Sequence, residues 1–302
     1  MTAARPTPLP IAFAAGTLGI ALFSGMDAVM KGMTIAMGVY NAMLWRFAAI
    51  FVITSLIYLA GRPSLPGRDA LRFHVIRGSV TVVMALSFFW GLARVPMAQA
   101  IALCYIAPLL ALALAAMLLK EKVGREVIGA SLLAVAGVGL ILLGQARAQM
   151  GEEALLGTAA IIGSAVCYSY NIILMRQQAM VAGPAEISFF QSFIVGGFLL
   201  LAAPWLAALP PAGQIAPILL AAALATASLF LMSWAYARAE ASYLAPTEYT
   251  SFVWAALFGW LVFGEHVSSY TLAGALLIVT ACVLAARRKP GLVARDTEAA
   301  LP

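Results

Sequence analysis

Charge is scarce in this sequence: only 10% of its 302 residues are Asp, Glu, Lys or Arg, whereas 64% are hydrophobic. Water-soluble globular domains carry about a quarter of their residues as charged side chains, so this balance indicates an integral membrane protein. No phosphate-binding loop of the GxxxxGK[ST] type occurs, and the short polar breaks leave no room for a soluble domain that could use ATP.

Histidine and cysteine are also rare. The chain has two histidines, His74 and His266, and three cysteines, Cys104, Cys167 and Cys282, none of them at a metal-ligand spacing. An intramembrane metalloenzyme would require clustered acids or a HExxH-like motif. We therefore predict no metal site, no cofactor and no catalytic residue, and we expect the protein not to be an enzyme.

Long apolar runs are abundant instead. A helix needs about 20 mainly apolar residues to cross a bilayer. Ten such runs are separated by short polar breaks, at 10–30, 41–60, 74–93, 97–119, 125–144, 155–175, 186–207, 214–236, 243–263 and 268–286. The predicted fold is an all-α membrane protein with ten transmembrane helices.

The net charge of +6 is distributed unevenly along these runs. Positive residues favour cytoplasmic loops. With a cytoplasmic N-terminus, the outer loops carry only Lys31, Arg94 and Arg147, and most other basic residues fall inside. This predicts cytoplasmic N- and C-termini in a bacterial inner membrane, and it accounts for the positive charge without nucleic-acid binding.

An internal repeat divides the chain into halves. A shift of 144 residues aligns Trp90 with Trp234, Arg94 with Arg238, and Tyr105 with Tyr249; one further residue aligns Arg46 with Gln191. Each half contains five spans, an odd number, so the second half must enter the membrane in the opposite orientation. The predicted domains are a first repeat at 1–145, a second, inverted repeat at 146–290, and a cytoplasmic tail at 291–302.

Several segments carry a family resemblance: LLKEKVGREVIGASLLAVAGVGLILL and LVFGEHVSSYTLAGALLIVTACVLAARR, LWRF in the second span, APLLALALAAMLL in the fourth, and YTSFVWAALFGWLVFGE in the ninth. They resemble the drug/metabolite transporter superfamily, specifically its EamA-type ten-helix branch. The resemblance implies a central cavity surrounded by the first four helices of each half, with the fifth and tenth helices packing peripherally.

Ionisable groups within spans are costly and mark candidate functional sites. Arg46 and Asp27 have similar depths near the outer ends of neighbouring spans, so we expect them to pair and to hold Arg46 at the mouth of the cavity. Two alternatives stay open: Arg46 snorkels to the headgroups, or Asp27 pairs with Lys31 one turn along its helix.

Three positions are predicted to take part in coupling or gating: Asp27, Glu248 and Pro108. Glu248 lies inside the ninth span, where it is either a proton-coupling group, a counter-ion for a cationic substrate, or a glutamate wetted by the cytoplasm. Pro108 removes a backbone donor in the fourth span, which predicts a broken helix or a kink. Glu121 and Glu265 are expected to make helix-end or gating contacts.

Aromatic and amide side chains complete the predicted substrate site, because they suit a flat or amphipathic organic solute. Together with Arg46 and Glu248, the candidates are Trp90, Gln99, Tyr105, Asn171, Gln191, Trp234, Tyr236 and Tyr249. For Trp90, Trp234 and Tyr236, an interfacial aromatic belt is the alternative.

These features predict a secondary transporter that moves a small organic metabolite by alternating access. The resemblance extends to carriers of amino acids, S-adenosylmethionine and riboflavin; a multidrug exporter or a lipid flippase on the same scaffold is the alternative. The expected partners are the substrate, membrane lipid and a coupling proton, with no nucleic acid and no particular oligomeric state predicted.

Overall fold

The computed structural model describes residues 9–61, 66–118, 125–148, 151–239 and 241–286, and the regular structure in these ranges is helical. The helices are α1 (Leu9–Ala60), α2 (Arg68–Leu92), α3 (Met97–Cys104), α4 (Ala107–Leu118), α5 (Arg125–Arg147), α6 (Gly151–Ala179), α7 (Pro184–Leu206), α8 (Ile215–Tyr236), α9 (Ala241–Phe263) and α10 (Ser269–Ala286), with a 3-10 turn at Ala212–Gln214 before α8. Within the described residues, seven segments are long and apolar enough to cross a membrane. The predicted contact of Glu121 and the predicted tail at 291–302 lie outside the described residues.

The first two predicted spans form one element, α1, which folds back on itself. A straight helix of 52 residues would be about 78 Å long, far more than the roughly 30 Å of a bilayer core. Gly38 interrupts it with φ 79° and ψ 154°, a conformation that only glycine adopts readily. Arg46 Nη1 then lies 3.0 Å from Met26 Sδ, so the arms 9–37 and 39–60 lie against each other.

The fourth predicted span is broken into α3 and α4. The break covers Tyr105 and Ile106, directly before Pro108. Proline has no N–H to donate to the carbonyl four residues earlier, and its ring crowds that carbonyl, so the helical ladder stops here. The carbonyl four residues before Pro108 is that of Cys104; the next carbonyl, that of Tyr105, accepts a hydrogen bond from Cys282 Sγ at 3.1 Å. Of the two outcomes predicted for Pro108, the structure has the broken helix.

Small residues bring antiparallel helices into close contact. A Cβ atom placed on Gly137 of α5 would lie 2.7 Å from the carbonyl oxygen of Gly274 of α10, and one on Gly274 would lie 2.6 Å from that of Gly137. Gly91 of α2 meets the Gly157 carbonyl of α6 in the same way, at 2.5 Å. Helices in lipid associate largely through such packing, and these glycines leave no room for a larger side chain.

The remaining packing joins the beginning of the chain to its second half. The first arm of α1 packs along α8 and α9, and the second arm along α7; α2 packs on α6 and α7, and α3 on α9. We call the end of the bundle that carries Leu9 and Ala286 the terminal end. Lys31 and Glu265 meet at the opposite end, just before α10 begins, and we call this the clamp end.

Candidate functional site

Four tyrosines from different parts of the bundle surround one carboxylate. The Tyr236 hydroxyl donates a hydrogen bond to Glu248 Oε1 at 2.8 Å. Tyr105, Tyr168 and Tyr249 lie close enough to interact electrostatically with the same carboxylate. These residues come from the α3–α4 break, α6, α8 and α9. We call this group the Glu248 cluster.

The Glu248 cluster has surface that the bundle does not cover. Tyr168 and Tyr236 are 39% and 38% exposed, and Glu248 is exposed as well. Glu248 follows the start of α9 and Tyr236 ends α8, so this exposed surface lies toward the terminal end. Aromatic faces around a single acid suit an amphipathic or cationic organic molecule.

Tyr105 connects the α3–α4 break to α9. Its hydroxyl accepts a hydrogen bond from the Phe252 N–H at 2.9 Å and lies 3.0 Å from the Tyr249 carbonyl and 2.7 Å from Ser251 Oγ. Its ring meets that of Tyr249 edge-on, with 5.5 Å between centroids. A side chain that inserts into a helical backbone in this way fixes the position of the helix. Tyr105 thus sets where Glu248 sits.

Arg46 and Asp27 are buried as neighbours without forming a contact ion pair: in the described part of the chain, no nitrogen–oxygen distance between them is within 4.0 Å. Arg46 lies against Met26 and over the rings of Phe47 and Phe89, 4.9 and 5.2 Å from their centroids. Among the residues that the structure describes, Arg46 Nε and Asp27 Oδ1 have no hydrogen-bond partner. Burying charges so poorly satisfied is costly, which favours a functional reason for keeping them.

Lys31 closes the clamp end. Its ammonium group forms an ion pair with Glu265 and donates to the Val95 carbonyl at 2.6 Å. The second carboxylate oxygen of Glu265 accepts a hydrogen bond from the Met97 N–H at 2.7 Å. The contacts join α1, the α2–α3 turn and the segment before α10, so Lys31 pairs with Glu265 and not with Asp27.

Four of the predicted substrate residues lie elsewhere. Arg94 stacks over Trp90 at 3.5 Å and Arg238 over Trp234 at 4.2 Å, both at helix ends. Gln99 Nε2 donates to Thr158 Oγ1 at 3.4 Å, and Gln191 has a buried Oε1 without a partner in the described part of the chain. No described contact brings any of these four to Glu248.

Asn171 belongs to a polar network that the sequence did not reveal. It donates to Thr81 Oγ1 at 2.9 Å and accepts from Arg77 Nε at 3.3 Å. Arg77 in turn contacts Gln178, which contacts His74, which contacts Glu186. From the sequence, Arg77 is only one of the basic residues predicted on the inner side, and His74 has no metal-ligand spacing, so neither was predicted to join such a network. The helical spacing of His74 and Arg77, and of Asn171 and Gln178, is the signal that places them on facing surfaces.

Comparison with known proteins agrees with this architecture. The sequence model of the EamA-like transporter family matches residues 11–143 and 155–287, one match in each half of the chain. The chain belongs to the EamA-like transporter family. It is thus a multi-pass membrane protein of the drug/metabolite transporter superfamily, as the resemblance predicted.

Characterised relatives of this EamA protein are named as transporters of different compounds. It is 26% identical over 274 residues to a pseudopaline exporter of Pseudomonas aeruginosa, which covers 89% of this chain and 93% of the relative. It is 28% identical over 282 residues to a riboflavin transporter of Rhizobium johnstonii, a match that covers 90% of this chain and 89% of the relative. It is 23% identical over 271 residues to an S-adenosylmethionine uptake transporter of Rickettsia bellii, over 87% of this chain and 89% of the relative. Small-molecule transport is common to all three names.

A solved crystal structure has the same fold. It matches with a TM-score of 0.59 and 21% identity, over 93% of this chain and 99% of its own length. At that identity the likeness concerns the fold alone.

Proposed function

We propose that this protein is a secondary transporter that carries a small organic metabolite across the bacterial inner membrane by alternating access, with both termini in the cytoplasm. The observation that carries the proposal is the contrast between the two ends of the bundle. The Glu248 cluster has exposed surface toward the terminal end, whereas Lys31 and Glu265 tie the clamp end together. In each of its two states, an alternating-access carrier is accessible from one side of the membrane and closed to the other side.

We further propose ten crossings arranged as two inverted five-helix repeats. The helices that correspond in the two halves pack against each other: the second arm of α1 on α7, α3 on α9, and α5 on α10. Within the last pair, Ile278 lies at Gly137 and Ile141 at Gly274, so the helices run antiparallel. Corresponding helices that run antiparallel support an inverted repeat.

The contacts between non-corresponding helices support the same symmetry. The first arm of α1 packs on α8, and the counterparts of these two elements, α6 and α2, also pack on each other. Tyr105 and Tyr249, which are repeat partners, meet at 5.5 Å, as residues near a two-fold axis do. The stacking of Arg94 on Trp90 and of Arg238 on Trp234 repeats the same local motif in each half.

Glu248 is the proposed substrate- or proton-binding carboxylate. In the described residues its one hydrogen-bonding side chain is Tyr236, and no cation lies within ion-pair distance, so its charge is left for a substrate or a proton. We propose an amphipathic or cationic metabolite, an amino acid among them, as substrate. No catalytic step is proposed.

A lipid flippase or multidrug exporter is the second candidate, and one feature favours it. An apolar groove of about 760 Å³ lies between α1, α8 and α9, lined by Gly25, Leu220, Leu224 and Phe258 among others. Such a groove would accept an acyl chain or an apolar drug from the membrane side.

Solute counterflow in proteoliposomes tests the main proposal. Vesicles preloaded with amino acids, S-adenosylmethionine, riboflavin or a cationic dye are offered tracer in turn. We expect exchange of one class, with at least tenfold loss in Glu248→Gln and none in Glu152→Gln, an exposed acid at the opposite end. Exchange of none of these classes, combined with movement of labelled lipid, would favour the flippase.

A further inference from the structure

A line of buried polar side chains crosses the interface of α2, α6 and α7 near the terminal end. His74 is fully buried; its Nε2 lies 2.9 Å from Glu186 Oε1 and its Nδ1 lies 2.6 Å from the amide nitrogen of Gln178. The amide oxygen of Gln178 accepts a hydrogen bond from Arg77 Nη1 at 2.6 Å. The Gln178 amide therefore accepts from Arg77 through its oxygen and faces His74 through its nitrogen.

Arg77 and Glu186 set the direction of the hydrogen bonds in this line from its two ends, since an ionised carboxylate can only accept. A guanidinium can only donate, so the atom of Gln178 that faces it must be the oxygen. The Gln178 amide nitrogen then faces His74 Nδ1, which must accept and cannot carry a proton. The imidazole proton is thereby placed on Nε2, toward Glu186. The observed arrangement fits a neutral His74 and no other protonation state.

A protonated His74 would need an acceptor at Nδ1. The Gln178 side chain can supply one by rotating its amide by half a turn, which turns its NH₂ group toward Arg77. Two donors would then face each other, and Arg77 Nη1 would lose its acceptor. The charged and titratable groups around His74 are Glu186 from α7, Arg77 across Gln178, and Tyr58 of α1 beside Glu186.

The edge of Arg77 that would be released has no acid to bind. No carboxylate oxygen lies within 4.0 Å of its guanidinium in the described residues. Arg77 interacts electrostatically with Tyr168, which also interacts with Glu248. An anion at Arg77 would therefore lie beside the Glu248 cluster. A carboxylate is an anion that the planar guanidinium matches with two parallel hydrogen bonds.

We infer that Gln178 is a two-position switch through which a proton at His74 Nδ1 frees Arg77 to bind a carboxylate of the transported molecule. This inference rests on the proposed transport function. Because each ligand favours the same position of Gln178, the proton and the carboxylate reinforce each other's binding. Solvent supplies the proton, and the amide rotation breaks no covalent bond.

Nitrogen-15 NMR of histidine-labelled full-length protein in nanodiscs tests the switch directly, because the chain has only two histidines and exposed His266 is an internal control. At high pH we expect His74 to be the Nε2–H tautomer in the wild type and in Arg77→Lys, which still only donates. Glu186→Gln alone should keep Nε2–H, because Arg77 still fixes Gln178. In the double variant Arg77→Gln/Glu186→Gln, where the partners at both ends of the line can donate or accept, we expect a large Nδ1–H fraction. Arg72→Gln, an exposed change on the same helix, should leave the tautomer unchanged. An Nδ1–H tautomer in the wild type or in Glu186→Gln alone, or no change in the double variant, would overturn the inference.

Benzoate tests the anion site, with neutral benzamide as its matched control. We expect millimolar benzoate to raise the pH midpoint of His74 by about 0.7 unit or more, the fivefold change at the lower end of usual coupling between sites. Benzamide, or benzoate with Arg77→Gln, should have no effect, and His266 should not respond. A missing benzoate shift, or one that survives Arg77→Gln, contradicts the anion site. If the NMR results were as expected but no substrate exchanged in the counterflow assay, the proposed transport function would be contradicted and the switch would not.

Discussion

At the scale of single residues, the structure contains charged groups whose contacts stabilise the fold and buried charged groups whose desolvation destabilises it. Lys31, Glu265 and Glu186 have contact partners, whereas Arg46 Nε and Asp27 Oδ1 have no hydrogen-bond partner within the described ranges. Desolvated charges with unmet hydrogen bonds cost free energy, and removing one member of a neighbouring pair leaves the other uncompensated. The pair Asp27 and Arg46 is therefore the place where stability and function are expected to oppose each other.

The double variant Asp27→Asn/Arg46→Met tests this opposition. Each single change should destabilise the protein by about 3 kcal/mol, because the remaining charge stays buried without its neighbour. The double change should restore or exceed the wild-type unfolding temperature while counterflow is lost. A double variant as unstable as the singles, or one with full exchange, would contradict a functional role for the pair. Thermal unfolding in one detergent gives the comparison.

Tyr105 carries a second prediction at this scale. Tyr105→Phe keeps the ring contact with Tyr249 but leaves the Phe252 N–H without the hydroxyl that it contacts, at a cost of about 1 to 3 kcal/mol. Tyr170→Phe is the control, since Tyr170 is 37% exposed. We expect a lower unfolding temperature for Tyr105→Phe alone. Equal unfolding temperatures for the two variants would show that the hydroxyl does not anchor α9.

At the scale of elements, hydropathy located the helices better than it located their breaks. The predicted loop at 31–40 is helical up to Gly38, because nothing in that stretch except its two glycines opposes the helix, and only Gly38 leaves the helical backbone angles. Pro108 marked the break in the fourth span correctly, since proline acts through its own backbone. The His74–Gln178–Arg77 line was missed because hydropathy scores residues singly, whereas this line requires two helices, α2 and α6, to come together.

Gly38 and Gly32 give a matched test of the fold-back in α1. Gly38→Ala should destabilise by about 1 to 3 kcal/mol, because a side chain is strained at its backbone angles. Gly32→Ala should be neutral or stabilising by up to about 1 kcal/mol, since Gly32 has no positive φ and an added Cβ meets nothing within 4 Å. Unfolding temperatures of the two variants provide the measurement. Equal effects would mean that Gly38 is not required for the turn.

At the scale of the whole molecule, the proposed transport cycle requires the clamp end to open. Spin labels at Ile35 and Val267, which are exposed at that end, report its width by pulsed electron resonance. We expect Glu265→Gln to add a longer distance, because it removes the charge that holds buried Lys31 while keeping the shape of the side chain. The population of the open state should rise about tenfold or more.

Glu153→Gln is the control for the clamp. It breaks the Arg94–Glu153 ion pair, also at the clamp end, but the Glu153 side chain is 74% exposed, and an exposed pair contributes at most about 1 kcal/mol. We therefore expect its distance distribution to match the wild type. If both variants opened the clamp end equally, or neither did, the buried Lys31–Glu265 pair would not be the contact that opposes opening. The alternation would then have to be controlled from the terminal end, where His74 and Glu248 lie.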